Sequence, residues 1–266
     1  MAENAGKNTV IKISGTASAL LGEPTTSVAG NLVYQITDAD KQVLDYASAV
    51  LVLKKGTNDA AESGTNTTNI KMTGHGLVTG DVIINTTRSN AKRSVTRVDA
   101  DNVTVLAVTG QTTSDTIEVY KTEASTAYVL SRLCGKVTYP SATARVILIS
   151  GMYFPMSVAA YASSASVDRS CKLLDQSYFG MDYVGRIAGG FSASGSLNDF
   201  DVADTIYSDA LMAGNAVVVE IQNTAGTAPD RFYALLENTS VKVAVESLTE
   251  QNISWQSTKD YINKGG

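Results

Sequence analysis

The chain carries a single histidine, His75, among 266 residues. A Ser-His-Asp or Cys-His arrangement must therefore be built on His75 or not at all. His75 stands in GHGLVTGD, among three glycines, where a turn is the natural reading and catalysis is not. Cysteine is almost as scarce. Cys134 and Cys171 make neither a disulfide framework nor a zinc site and read as reduced, partly buried thiols. Positive charge is short as well. The net charge is −5 and the pI about 5.0, the opposite of what a protein gripping phosphates needs. Charged residues make up only 18% of the chain, below the usual ~25%, so the surface draws its polarity from Ser, Thr, Asn and Gly or lies hidden in contacts. No apolar run approaches the ~18 residues of a membrane-spanning helix. The start, MAENAGKNTVIKIS, has no charged leader followed by an apolar core. The expectation is synthesis in a cytoplasm, without a membrane anchor. The five N-x-S/T sequons, at Asn66, Asn85, Asn102, Asn238 and Asn252, then read as by-products of a Thr/Asn-rich composition.

What is present is β-patterning. A hydrophobic fraction of 44% excludes a disordered chain, and the length suggests one large domain or two smaller ones. Ile11 and Ile13 flank Lys12. Val241, Val243 and Val245 alternate with Lys242, Ala244 and Glu246, and Ile253 and Trp255 alternate with polar neighbours. Each is the period-two signature of a half-buried strand. NAVVVEI (215–221) is a β-branched run. ARVILI (144–149) is apolar on both faces, as a central strand must be. Segments 231–236 and 128–133 are further strand candidates, and GTAPD (226–230) is a turn. The stretch 167–176 fits strand or helix. One segment has helical spacing: Ala203, Ile206, Tyr207, Ala210 and Leu211, with Asn198 or Asp199 as N-cap, Asp201 and Asp204 at the positive end of the dipole, and Gly214 to stop it. Residues 15–31, with Gly15, Gly22, Pro24 and Gly30, read as a long unpatterned loop. Its leucines, Leu20 and Leu21, are either contacts to a neighbouring subunit or folded back over their own core.

The middle has a different texture. A low-complexity loop, KKGTNDAAESGTNTTN, opens it and would serve as a hinge. Five short strand segments follow: NIKM, DVIIN, SVTRV, NVTVLAV and TIEVY. From Lys54 to Lys121 eight basic and seven acidic residues give +1. From Asp168 to Asp260 six basic and thirteen acidic give −7. The reading is a small all-β module, 55–121, inserted into a β-domain made of 1–54 and 122–266. The fold class expected is mainly β: an antiparallel sandwich or barrel with one flanking helix, plus the inserted module.

The order of elements in the C-terminal half resembles the major tail tube proteins of long-tailed phages. The residues carrying it are Gly190 to Ser196, a G-x-S-x-S-G-S stretch, and Glu250 to Ser257, a closing E-x-x-x-S-W strand. Residues 34–52, YQITDADKQVLDYASAVLV, are similar to the early part of such proteins, and the resemblance covers about 190 residues of the host domain. GHGLVTGDVIIN looks like a small β-module of phage virion proteins; there Gly76 and Gly80 permit positive φ and Asp81 can hold nearby backbone N–H groups. The resemblance implies a non-enzymatic virion protein, located in the phage tail and needing no cofactor or metal. Its partners would be copies of itself in stacked rings, usually of six, together with tape-measure, terminator and baseplate proteins. DNA would pass through the channel without specific binding. Carboxylates facing the channel would repel phosphate. Glu220 and Glu246, on strands, are the acids expected there.

Other groups have plainer explanations. Arg88, Lys92, Arg93 and Arg97 form a basic cluster with no acid between them. Without an aromatic platform it reads as a solvated hairpin rather than a nucleic-acid or glycan contact. Ser192, Ser194 and Ser196 lack both the Walker spacing and the G-x-S-x-G elbow and read as a flexible lead into the helix. Asp199, Asp201 and Asp204 depart from the calcium loop and suit helix capping. The alternative function is a capsid decoration or fibre-like adhesin that works through the inserted module.

Overall fold

The computed structural model describes residues 10–14, 16–158, 162–176, 185–199, 211–222, 229–242 and 250–258. The chain is mainly β and antiparallel throughout, with nineteen strands among the described residues. In chain order these are β1 (Val10–Ser14), β2 (Ser18–Ala29), β3 (Val33–Ile36), β4 (Leu51–Lys55), β5 (Asp59–Ala60), β6 (Asn69–Lys71), β7 (Val82–Asn85), β8 (Ala91–Arg97), β9 (Asn102–Val105) and β10 (Thr116–Thr122). They continue with β11 (Val129–Ser131), β12 (Lys136–Thr138), β13 (Ile147–Tyr153), β14 (Met156–Val158), β15 (Ala162–Gln176), β16 (Gly185–Asp199), β17 (Val217–Gln222), β18 (Asp230–Lys242) and β19 (Glu250–Ser257). No helix among the described residues is long and apolar enough to cross a membrane.

The chain divides into two compact units: 1–16 with 156–266, and 17–155. The insertion is thus wider than the sequence suggests. The second unit leaves the first after β1 and returns at β14, and these two strands pair, with Ser14 opposite Met156. The boundaries expected at 54/55 and 121/122 fall inside a continuous sheet, because β4 pairs with β10 across them, Lys54 opposite Lys121.

The 17–155 unit is a twelve-stranded sheet in the order β11-β12-β3-β2-β13-β4-β10-β7-β8-β9-β6, with β5 on β10. It curls until its distant members meet: the Lys92 ammonium on β8 donates to the Gly22 carbonyl on β2 at 2.8 Å. The curl gives three cores. Leu20, Tyr34, Ile36, Leu44, Val52, Val137, Ile147 and Ile149 form one. Leu53, Val82, Ile84, Tyr120 and Leu148 form the second. The third lies wholly within 61–119, around Ile70, Met72, Leu77, Ile83, Val95, Val103 and Ile117. β13 and β7 each border two of these cores, so alternate residues are buried on opposite faces and ILI and VIIN read as unbroken apolar runs. Residues 15–31 are corrected from loop to strand. β2 pairs with β13 and β3, accommodating Gly22 at φ +56 and bulges in both pairings. The low-complexity loop is no free hinge: Ala61 N–H donates to Asp115 O at 2.9 Å, and Asn66 caps Thr68 and Asn69.

The other unit is a seven-stranded sheet, β14-β1-β17-β18-β19-β16-β15. Its core face carries Ala193, Val217, Val219, Ile221, Phe232, Ala234, Leu236, Ile253 and Trp255, with Val167 and Leu211 packed against it. Leu211 belongs to the expected helix. Its described residues, 211–213, are helical and end at Gly214, φ +65, whose N–H donates to Leu211 O at 3.2 Å. The rest of that helix, with Asp201 and Asp204, lies outside the described residues. The stretch 167–176 is strand, and the lead Gly190–Ser196 is β16 rather than flexible chain. Val241 continues β18, so 231–242 is one strand where two were expected; Val243, Val245, Glu246 and most of the 226–230 turn lie outside the described residues.

Candidate functional site

Leu20 and Leu21 are separated by the pleat of β2. Leu20 is 5% exposed within the first core of the 17–155 unit, while Leu21 is 42% exposed on the opposite face. Only Leu21 is available to a neighbour.

Glu220 is not an exposed carboxylate. It is 3% exposed on β17 and stands between two cations set by the sheet register: Lys12 of β1 directly opposite on one side, Arg231 of β18 on the other. Lys12 Nζ lies 3.3 Å from Oε1, and Arg231 Nε donates to Oε2 at 2.7 Å. The arrangement compensates a buried charge, which would be costly unpaired. Its partners are 208 residues and 11 residues away in sequence, which is why the pairing shows only in the fold.

The basic cluster is likewise dispersed. Arg88 sits in the β7–β8 turn, where Ser89 and Asn90 adopt φ +52 and +55. Its guanidinium forks onto Asp115, Nε to Oδ2 and Nη2 to Oδ1, both at 3.0 Å. Burial pushes the Asp115 carboxyl up, but the combined hydrogen bonds from Arg88, Asn85 and Thr112 outweigh it and hold the group at about 2. Lys92 points the other way along the pleat, to the Gly22 carbonyl. Arg93 donates to three main-chain carbonyls: Leu106 at 3.0 Å, Lys92 at 2.7 Å and Ala107 at 3.1 Å. Arg97 donates to the Asp99 carbonyl at 3.1 Å. Four like charges adjacent in sequence hold four different places in the module.

The GHGLVTGD turn behaves as its composition predicts. Gly76 and Gly80 take φ +62 and +101. Asp81 accepts from Val78 N–H at 2.9 Å and from the Thr122 N–H and hydroxyl at 2.7 and 2.8 Å. His75 is 5% exposed, and its Nδ1 accepts from Leu77 N–H at 2.8 Å. Nε2 is buried without a hydrogen-bond partner among the described residues. Among the described residues no carboxylate or nucleophile is hydrogen-bonded to the ring, and its Nδ1 bond fastens the turn. Cys134 is a free, half-buried thiol, and no group of His, Cys, Asp and Glu among the described residues is arranged to hold a metal.

Two features of the 156–266 unit stand out. The first is its edge. The twelve-stranded sheet ends on β11 and β6, three residues each, and the seven-stranded sheet ends at one side on β14, of which three residues are described. The remaining edge is β15, fifteen residues long and paired on one side only among the described residues. Among the described residues its partner β16 pairs with β19 only from Ser194 to Asp199, so there the pairs from Gln176–Gly185 to Ser170–Ser192 form a two-stranded arm. The second is the face opposite the core. Register puts Ser166, Asp168 and Ser170 of β15, Ser192, Ser194 and Ser196 of β16, Asn252, Ser254 and Gln256 of β19, and Leu235 and Asn238 of β18 on one surface. Ser166 bonds Ser196 at 2.9 Å and Ser170 bonds Ser192 at 2.7 Å. No lysine or arginine is among these residues; on the same face, farther across β18, β17 and β1, lie Arg231, Glu220 and Lys12, paired with one another. The sequence does not announce this face, because the G-x-S-x-S-G-S stretch reads as flexible; the signal it does hold is the strict alternation of serine with Ala193 and Gly195.

No protein-family model matches the chain, and no curated protein matches it in sequence.

Proposed function

We propose that the protein is a structural subunit that joins copies of itself along β15 into rings, and rings into a tube, as the resemblance to phage tail tube proteins implies. The observation that carries this reading is the β15 edge. An unpaired strand of that length is a template for pairing with another chain, and folded proteins ordinarily shorten or cover such edges. Here the two end strands of the twelve-stranded sheet are three residues each, and this one runs to fifteen. A head-to-tail interface between an edge on one copy and a different edge on the next generates a closed ring when the rotation closes. The two-stranded arm adds to this, since an isolated hairpin is marginal in water and gains by a third strand.

The hydroxyl and amide face of the same sheet suits the wall of a channel for DNA. Across β15, β16 and β19 its short uncharged side chains, with one carboxylate, Asp168, offer phosphate no cation to hold, and Lys12 and Arg231 farther along the same face are engaged by Glu220. Glu220 lies on the same face but is buried between Lys12 and Arg231, so the exposed Asp168 is the acid proposed to face the channel. The subunit would belong to a virion tail, act beside other tail proteins and perform no covalent chemistry. Sedimentation velocity tests the reading. The wild-type chain should form particles far larger than 28 kDa, and Ser166→Lys/Ser170→Lys, which charges the edge on its exposed face, should sediment as a folded monomer. A double variant that assembles like wild type removes β15 as the joining edge.

A further inference from the structure

The 17–155 unit has a depression of about 400 Å³ between the β7–β8 turn and residues 108–109. Thr87, Ser89 and Thr109, Arg88 and Arg93, and Val108 are among the residues that line it. The two arginines differ in charge balance. Arg88 is neutralised by its fork onto Asp115 and has both Nη2 hydrogens engaged, by Asp115 and Thr112. Arg93 has no carboxylate within ion-pair distance among the described residues. Three main-chain carbonyls fix its guanidinium and leave it one full positive charge. With one proton per nitrogen engaged on Nη1 and Nη2, a second on each remains for a ligand.

We propose that this depression binds a carboxylate-bearing sugar residue, the carboxylate on Arg93 and the ring hydroxyls against Thr87, Ser89 and Thr109. A single uncompensated charge suits a monoanion better than a dianionic phosphate. The pre-set planar fork suits a carboxylate. The volume lies at the low end of small-ligand sites, enough for one ring rather than an oligomer. The absence of an aromatic from the wall speaks against a stacked nucleobase. The Thr, Ser and Arg composition supplies the polar complement that a polyhydroxylated ring requires. The depression lies within the 17–155 unit and owes nothing to self-assembly.

Saturation-transfer difference NMR on the full chain, with D-glucuronate as probe, tests this in monomer or assembly alike. Ring-proton signals are expected for the wild type and for Arg97→Gln, whose guanidinium bonds elsewhere. They should fall at least about tenfold for Arg93→Gln. Thr109→Val, which leaves the carbonyl anchors of Arg93 intact, should weaken them too and serves if Arg93→Gln does not fold. Neither D-glucose nor inorganic phosphate should displace the probe. Absence of signal from the wild type, equal signal from Arg93→Gln and Thr109→Val, or displacement by phosphate as effective as by glucuronate itself would each overturn the proposal.

Discussion

Gly195 illustrates how one side chain's absence is fixed by its neighbours. It lies opposite Val167 and Trp255 on the core face of β16. A Cβ there would stand 2.2 Å from Ser166 O and 2.5 Å from the Trp255 ring. Gly195→Ala should therefore cost about 1–3 kcal/mol or more through backbone displacement, read as a lowered urea midpoint. The leucine pair makes the opposite point. Leu20→Ala removes a buried side chain and should cost about 2–5 kcal/mol, whereas Leu21→Ala should stay within about 0.5; the same titration separates them. Adjacent leucines in a Gly/Pro-containing stretch gave no local sign of which was inside, because only pairing with β13 assigns the faces. Asp115 yields a pH dependence with a definite sign. Its folded value of about 2 lies below the free value of 3.8, so the folded state binds fewer protons. Its contribution is complete above about pH 4 and is lost as pH falls toward 2. Asp115→Asn should lower stability at pH 7 and flatten that acid limb, measured as the urea midpoint against pH. An unchanged limb would mean other carboxylates dominate it.

Among elements, legibility followed locality. β1, β17 and β19 were visible because one residue in two, or a whole β-branched run, faces a core. GHGLVTGD was visible because glycine and aspartate chemistry acts within a few residues. β2 was hidden because Pro24, Gly22 and two bulges interrupt its alternation while long-range pairing sustains it. β15 was ambiguous for a related reason: its small residues and scattered charges carry neither period strongly. Its partner, with Gly195 and three serines in its second half, reads as a flexible lead. The Lys12–Glu220–Arg231 arrangement was beyond sequence reading, since two of its three members approach only through β1–β17 register. The proposed role of β15 makes a prediction at this scale. Ser166→Lys/Ser170→Lys removes two exposed cross-strand hydroxyl bonds, each worth about 0.5–1.5 kcal/mol at most. The variant should keep its thermal transition by circular dichroism while losing assembly. Loss of both together would assign β15 a folding role instead.

The whole molecule is two β-units, one interrupting the other between paired strands. The sequence showed the change of texture at 55–121, which has its own core, but not the continuity of the sheet through β4 and β10. Excising 56–120 would strip Val82, Ile84 and Tyr120 from Leu53 and Leu148. That deletion should abolish the cooperative thermal transition of the 17–155 unit rather than yield a trimmed domain. The serine and amide face makes a second prediction. Assembled wild type should leave duplex DNA in the supernatant at low salt, whereas Ser194→Lys assemblies should carry it into the pellet. Electron microscopy of the purified chain at high concentration tests self-assembly most directly. Hollow rings or tubes in which β15 of one copy hydrogen-bonds a strand of the next are expected; dispersed single molecules under every condition, or assemblies with β15 left unpaired, would contradict it.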